Sequence, residues 1–84
     1  MNPVTMYTTS HCPYCRNAKA LLARKGVAAT EIDIESNPHL LLEMMGRTGR
    51  RTVPQIFIGD RHVGGFDDLA ALERQGELTA LLAR

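Results

Sequence analysis

Both cysteines of the chain, Cys12 and Cys15, stand in the stretch TTSHCPYCRNAKALL, where polar residues give way to an apolar helical pattern. Two thiols three positions apart can exchange with a disulfide, oxidise to one another, or supply half of a metal site. They can also be small apolar residues absorbed by a core. A helix beginning near Pro13 puts Cys12 at its cap and Cys15 in its first turn, so both sulfurs gather where unpaired N–H groups and the positive end of the helix dipole favour a thiolate. Pro13 suits that position, since its missing donor would have no partner there. Cys12, the outer residue, is expected to be the exposed nucleophile, and Cys15, on the apolar stripe, the buried partner. Lowering a thiol's pKa raises its thiolate fraction but lowers its intrinsic nucleophilicity; the clear gain is a better leaving group. Such a site turns over by thiol exchange. A zinc site needs two further donors, and His11, His39 and His62 are scattered, so no metal is expected.

The elements that must position these thiols follow from periodicity. VTMYT, Val4 to Thr8, alternates as a strand, with Val4 and Met6 on one side and Thr5 and Tyr7 on the other. Cys15, Ala18, Leu21 and Leu22 recur at helical spacing, and Gly26 is a natural stop, which predicts a helix from about Pro13 to Lys25. TEIDIE alternates again. SNPHLLLEMMG supplies a cap in Asn37, Pro38 at the first helical position and Gly46 as expected terminator. VPQIFIGDRHVGG predicts a hairpin, with a strand at Gln55 to Ile58, a turn at Gly59-Asp60 and a partner at His62 to Gly64. Two short helices follow, the first opening at Asp67 and the second after Gly76. The order β-α-β-α-β-β-α predicts an α/β fold, a four-stranded mixed sheet with helices on both faces, in one domain spanning residues 1–84.

Composition narrows the function. The 84 residues carry a formal net charge of +1, with no basic stripe for a phosphate backbone, so nucleic acid is not an expected partner. No apolar run approaches the roughly 18 to 20 residues that span a bilayer, and MNPVTMYTTS lacks the regions of a signal peptide, so a cytoplasmic protein without a membrane partner is expected. Two cysteines closing so short a loop cannot staple a secreted fold, which leaves redox chemistry or metal binding in a reducing compartment.

CPYC between a strand and a helix, TVPQIFI some forty residues on, and VGGFDDLAAL after a hairpin together resemble the glutaredoxins of the thioredoxin superfamily, most closely the short bacterial dithiol type. The resemblance runs across nearly the whole chain. It implies a thioredoxin fold and a monomeric, glutathione-dependent oxidoreductase, with glutathionylated or disulfide-containing proteins as partners, ribonucleotide reductase being one candidate. Cys12 would attack the disulfide and Cys15 would resolve the intermediate.

Glutathione is an extended tripeptide with a carboxylate at each end, so its site needs an open backbone edge and two anion-binding points. Thr52, Val53 and Pro54 can provide the edge, because Pro54 cannot donate to a neighbouring strand and leaves the Val53 main chain free to pair. The family implies a cis Pro54. At the γ-glutamyl end, Gly64-Gly65 permits close approach, and the helix opening at Asp67 presents N–H groups, with Asp67 or Asp68 able to accept from the α-amino group. Asp67 is also expected to cap that helix. At the glycyl end, Arg50 matches a family basic position and can clamp a carboxylate. Arg47 and Arg51 read equally as solvated charge, and Tyr14 as the border of the groove. Two positions depart from the pattern: Thr9, where many members carry a lysine, and Phe66, beside the Gly-Gly pair, where several have a smaller residue; Phe66 reads as a wall of the glutathione groove or as a packed core residue. Two other functions compete: a 2Fe–2S cluster carrier, against which the bulky Pro13-Tyr14 loop argues, and a redoxin reduced by thioredoxin reductase that serves ribonucleotide reductase.

Overall fold

A computed structural model describes residues 2–84. The elements run β1 (Val4–Thr8), α1 (Pro13–Arg24), β2 (Thr30–Asp33), α2 (Pro38–Thr48), β3 (Gln55–Ile58), β4 (Arg61–Gly64), α3 (Phe66–Arg74) and α4 (Leu78–Ala83). One four-stranded sheet has the order β2-β1-β3-β4, with β1 and β2 parallel and the other pairs antiparallel. This is the thioredoxin fold, a mixed α/β sheet flanked by helices.

Strand alternation divides the core. Val4 and Met6 of β1 lie opposite Ile58 and Ile56 of β3. They pack with Ala18, Leu21 and Leu22 of α1, Leu69 and Leu72 of α3, and Leu78, Leu81 and Leu82 of α4. A fully buried leucine such as Leu22 is worth about 1.5 to 3 kcal/mol against exposure, so this face holds most of the fold's apolar stabilisation. The other face carries Tyr7 and Phe57, covered by Met44 of α2 and flanked by Ile32, Leu41 and Val53.

Helix ends follow their signals with two exceptions. Asn37 caps α2 by accepting from His39 N–H at 2.9 Å, and the chain leaves α1 through Gly26, whose N–H reaches Ala23 O at 2.9 Å while Val27 N–H reaches Leu22 O at 3.0 Å. Gly46, however, does not end α2. The helix runs on to Thr48 because Gly49, at φ 69°, takes the left-handed turn and returns its N–H to Met45 O at 2.8 Å. The cap of α3 is Gly65 rather than Asp67; Asp67 lies inside the first turn, and Asp68 closes back on Gly65 N–H at 2.9 Å.

Candidate active site

The thiols sit where β1 hands the chain to α1. Cys12 is the N-cap, with extended φ −119° and ψ 106°, and its Sγ accepts from the Cys15 N–H at 3.1 Å. Its carbonyl accepts from Arg16 N–H at 3.1 Å and so starts the helix. The same sulfur lies 3.8 Å from Val53 O, on the segment before β3. The expectation of an exposed Cys12 is therefore corrected. It is only 7% exposed, because the sulfur folds back under the helix end and the Val53 carbonyl covers it. Cys15 is deeper still, at 1%. Burial pushes the Cys15 thiol up and its hydrogen bond with Cys12 adds to the rise, while the Thr8 hydroxyl and Thr9 backbone pull the other way.

Beside this pair lies a cavity of about 330 Å³, lined by Tyr14, Arg50, Thr52, Val53, Pro54, Gly65, Phe66, Asp67 and Asp68. These nine are the non-thiol residues to which the resemblance points, drawn together from α1, the α2–β3 segment and the start of α3. The thiols do not line it. Val53 separates them from it, and Cys12 and Cys15 open instead into a second depression of about 210 Å³ with Thr9, Arg16 and Asp33. The Val53–Pro54 bond is cis. Tyr14, 60% exposed, stands 6.4 Å from the Phe66 ring and forms one wall. Phe66 is both wall and packing, since it also leans on the large core cluster.

Charge in the cavity is arranged differently from the expected two-ended clamp. Arg50 Nη1 donates to Asp68 Oδ2 at 3.0 Å, so the cation assigned to one end of a tripeptide and an acid assigned to the other form a single ion pair. Gly64 makes this possible. At φ 118° it holds a conformation that L side chains avoid, and a Cβ there would collide with the Asp68 carboxylate and stand 3.0 Å from Arg50 Nη1. The Gly65 N–H and then Arg50 hold the Asp68 carboxyl below its usual range. Asp67 is exposed and stays clear of this pair.

Two groups near the site escaped the sequence. Arg47 is no free surface charge: its guanidinium lies 4.0 Å from the Phe57 ring centroid and donates to Tyr7 OH at 2.8 Å, and Tyr7 donates in turn to Glu43. Gln55, fully buried at the start of β3, bonds Thr52 on one side and His62 on the other. The only signal for Gln55 in the sequence is a polar residue leading an apolar strand. Among the described residues, no group of three or more His, Cys, Asp or Glu side chains could hold a metal ion, and no helix is long and apolar enough to cross a membrane.

Comparison with known proteins gives this geometry its context. Residues 4–63 match the family model for glutaredoxin. The chain is 57% identical over 83 residues to a glutaredoxin of Pseudomonas aeruginosa, covering 99% of each chain. It is 52% identical over 82 residues to glutaredoxin 3 of Escherichia coli K12, covering 98% of this chain and 99% of that one. Among solved structures, a buckwheat glutaredoxin–glutathione complex superposes with a TM-score of 0.91 at 30% identity, over 98% of this chain and 77% of that one.

Proposed function

Since the chain belongs to the glutaredoxin family of thiol–disulfide oxidoreductases, we propose that it is glutathione-dependent, with Cys12 as nucleophile and Cys15 as resolving thiol. The observation that carries this is the 330 Å³ cavity next to the Cys12 sulfur, which lies 3.8 Å from the carbonyl of Val53 in the cavity wall: a tripeptide seated along Val53 can bring its thiol to Cys12. The buckwheat relative bound to glutathione supports the same ligand class.

In the proposed cycle, the Cys12 thiolate attacks the glutathionyl sulfur of a mixed disulfide, and the substrate's sulfur leaves as a thiolate that takes up a proton. A second glutathione thiolate then attacks the glutathionyl sulfur on Cys12. Oxidised glutathione departs and the Cys12 thiolate returns. The Cys15 N–H, aimed at the Cys12 sulfur, stabilises charge there as it leaves. With a protein disulfide, Cys12 takes one substrate sulfur and Cys15 attacks Cys12 Sγ, releasing the dithiol; two glutathiones reduce the resulting internal disulfide. Burial pushes the Cys15 thiol up, which favours Cys12 over Cys15 as the first nucleophile.

The main-chain edge at Val53 pairs with the cysteine unit of glutathione, and the α3 N-terminus with Asp67 and Asp68 receives the γ-glutamyl end. Arg50 stands within the same cavity and is offered to a carboxylate once that carboxylate displaces Asp68 from it. The protein acts as a single-domain cytoplasmic monomer on glutathionylated and disulfide-bonded proteins. The test is reduction of a glutathione mixed disulfide coupled to glutathione reductase, run beside an assay coupled to thioredoxin reductase. Turnover in the first and none in the second is the expected result; the reverse overturns the proposal.

A further inference from the structure

Thr52 and Val53 precede β3, and among the described residues no backbone–backbone hydrogen bond involves either of them. An edge that is to receive a ligand's main chain has to stay unpaired, so no ladder can hold it in place. Gln55 does so instead. Its Nε2 donates to Thr52 O at 3.0 Å and to Thr52 Oγ1 at 3.2 Å, while its Oε1 lies 2.7 Å from His62 Nε2. A carbonyl oxygen only accepts, so the Thr52 carbonyl fixes which way the amide points. The amide oxygen then faces His62, which must carry its proton on Nε2. His62 is itself held, its ring 5.1 Å from the Phe57 ring. Gln55 is 0% exposed, and a buried amide is costly wherever its bonds are not all made. An aliphatic residue would serve the core without that risk. What Gln55 adds is a bond to the one segment that must remain both unpaired and still.

We propose that Gln55, oriented by His62, is a positioning residue that holds the Thr52–Pro54 edge in the form that receives glutathione. This role rests on the proposal that glutathione pairs with Val53. Gln55 does not line the cavity, so its loss weakens ground-state and transition-state binding alike and leaves the sulfur chemistry intact.

Gln55→Met keeps the shape and removes the amide; His62→Phe keeps the ring on Phe57 and removes the N–H. Steady-state kinetics with cysteine–glutathione mixed disulfide should give a KM for that mixed disulfide raised roughly threefold to tenfold in Gln55→Met, the worth of one net hydrogen bond, with kcat within about twofold. His62→Phe should show a smaller rise in the same direction. With dithiothreitol as reductant and a disulfide lacking glutathione as substrate, both variants should match the wild type. An unchanged KM in a folded Gln55→Met chain overturns the role, as does an equal loss with both reductants. Should Gln55→Met not fold by circular dichroism, His62→Phe decides: no rise in KM overturns the proposal. A wild-type chain that turns over with dithiothreitol and not with glutathione refutes the glutathione assignment itself, and this role with it.

Discussion

Replacing Asp68 separates two interactions that share one carboxylate oxygen. Oδ2 accepts from Gly65 N–H at 2.9 Å, satisfying the start of α3, and from Arg50 Nη1 at 3.0 Å. Asp68→Ala removes both; Asp68→Asn keeps an oxygen for Gly65 and loses the charge. A helix-cap acceptor is worth about 0.5 to 2 kcal/mol. The ion pair is worth less, about 0.2 to 1 kcal/mol, and the low end applies because its side chains are 48% and 46% exposed. Asp68→Ala is therefore expected to destabilise by about 1 to 2 kcal/mol, and Asp68→Asn by a few tenths. The sign with pH follows from the lowered carboxyl. A group whose folded pKa lies below its unfolded value of about 3.9 stabilises in full above that value, and the stabilisation is lost as pH falls through the folded one. The gap between wild type and Asp68→Asn should close on acidification below about pH 4, and it should shrink in molar salt at neutral pH. Urea unfolding followed by circular dichroism from pH 7 downward measures both. Equal costs for Ala and Asn at neutral pH, or a wild-type-to-Asn gap unchanged in acid, would refute the division of labour assigned to Asp68.

Cys12→Ser should abolish all thiol exchange, because a serine hydroxyl forms no mixed disulfide. Cys15→Ser should retain turnover of glutathione mixed disulfides and lose protein-disulfide reduction through the internal bridge; both substrates assayed at fixed glutathione check this, and a folded Cys15→Ser that loses both activities reverses the assignment. Arg50→Ala should raise KM for glutathione more than it lowers kcat, by about tenfold at most, since a charge-assisted bond of about 1.5 to 3 kcal/mol is discounted here for solvent and for the competing Asp68. Kinetics at low salt that match the wild type would reduce Arg50 to surface charge. Gly64→Ala should cost about 1 to 3 kcal/mol in urea unfolding, as alanine resists φ 118° and its Cβ meets the Asp68 carboxylate; a loss below about 0.5 kcal/mol would mean the hairpin end relaxes freely.

Local chemistry alone makes much of this protein legible in its sequence. Pro13 and Gly26 bracket α1, Asn37 caps α2, and alternation places Val4 and Met6 opposite Tyr7, because caps and periodicity act over four residues or fewer. Family resemblance added the nine residues that line the cavity. Local signals were less reliable at the end of α2: the stop expected at Gly46 does not form, because Gly49, three residues on, takes the left-handed turn. What the tertiary structure alone decided lies between segments far apart in the chain. Val53 covers the Cys12 sulfur from 41 residues away, and Arg50 reaches Asp68, 18 residues on, across a glycine. Gln55 ties an unpaired edge that no propensity marks as needing support. Periodicity can tell which face a side chain occupies. Which partner waits on that face depends on how the sheet and helices bring separate loops together, and that is set by packing of the whole chain rather than by any stretch of it.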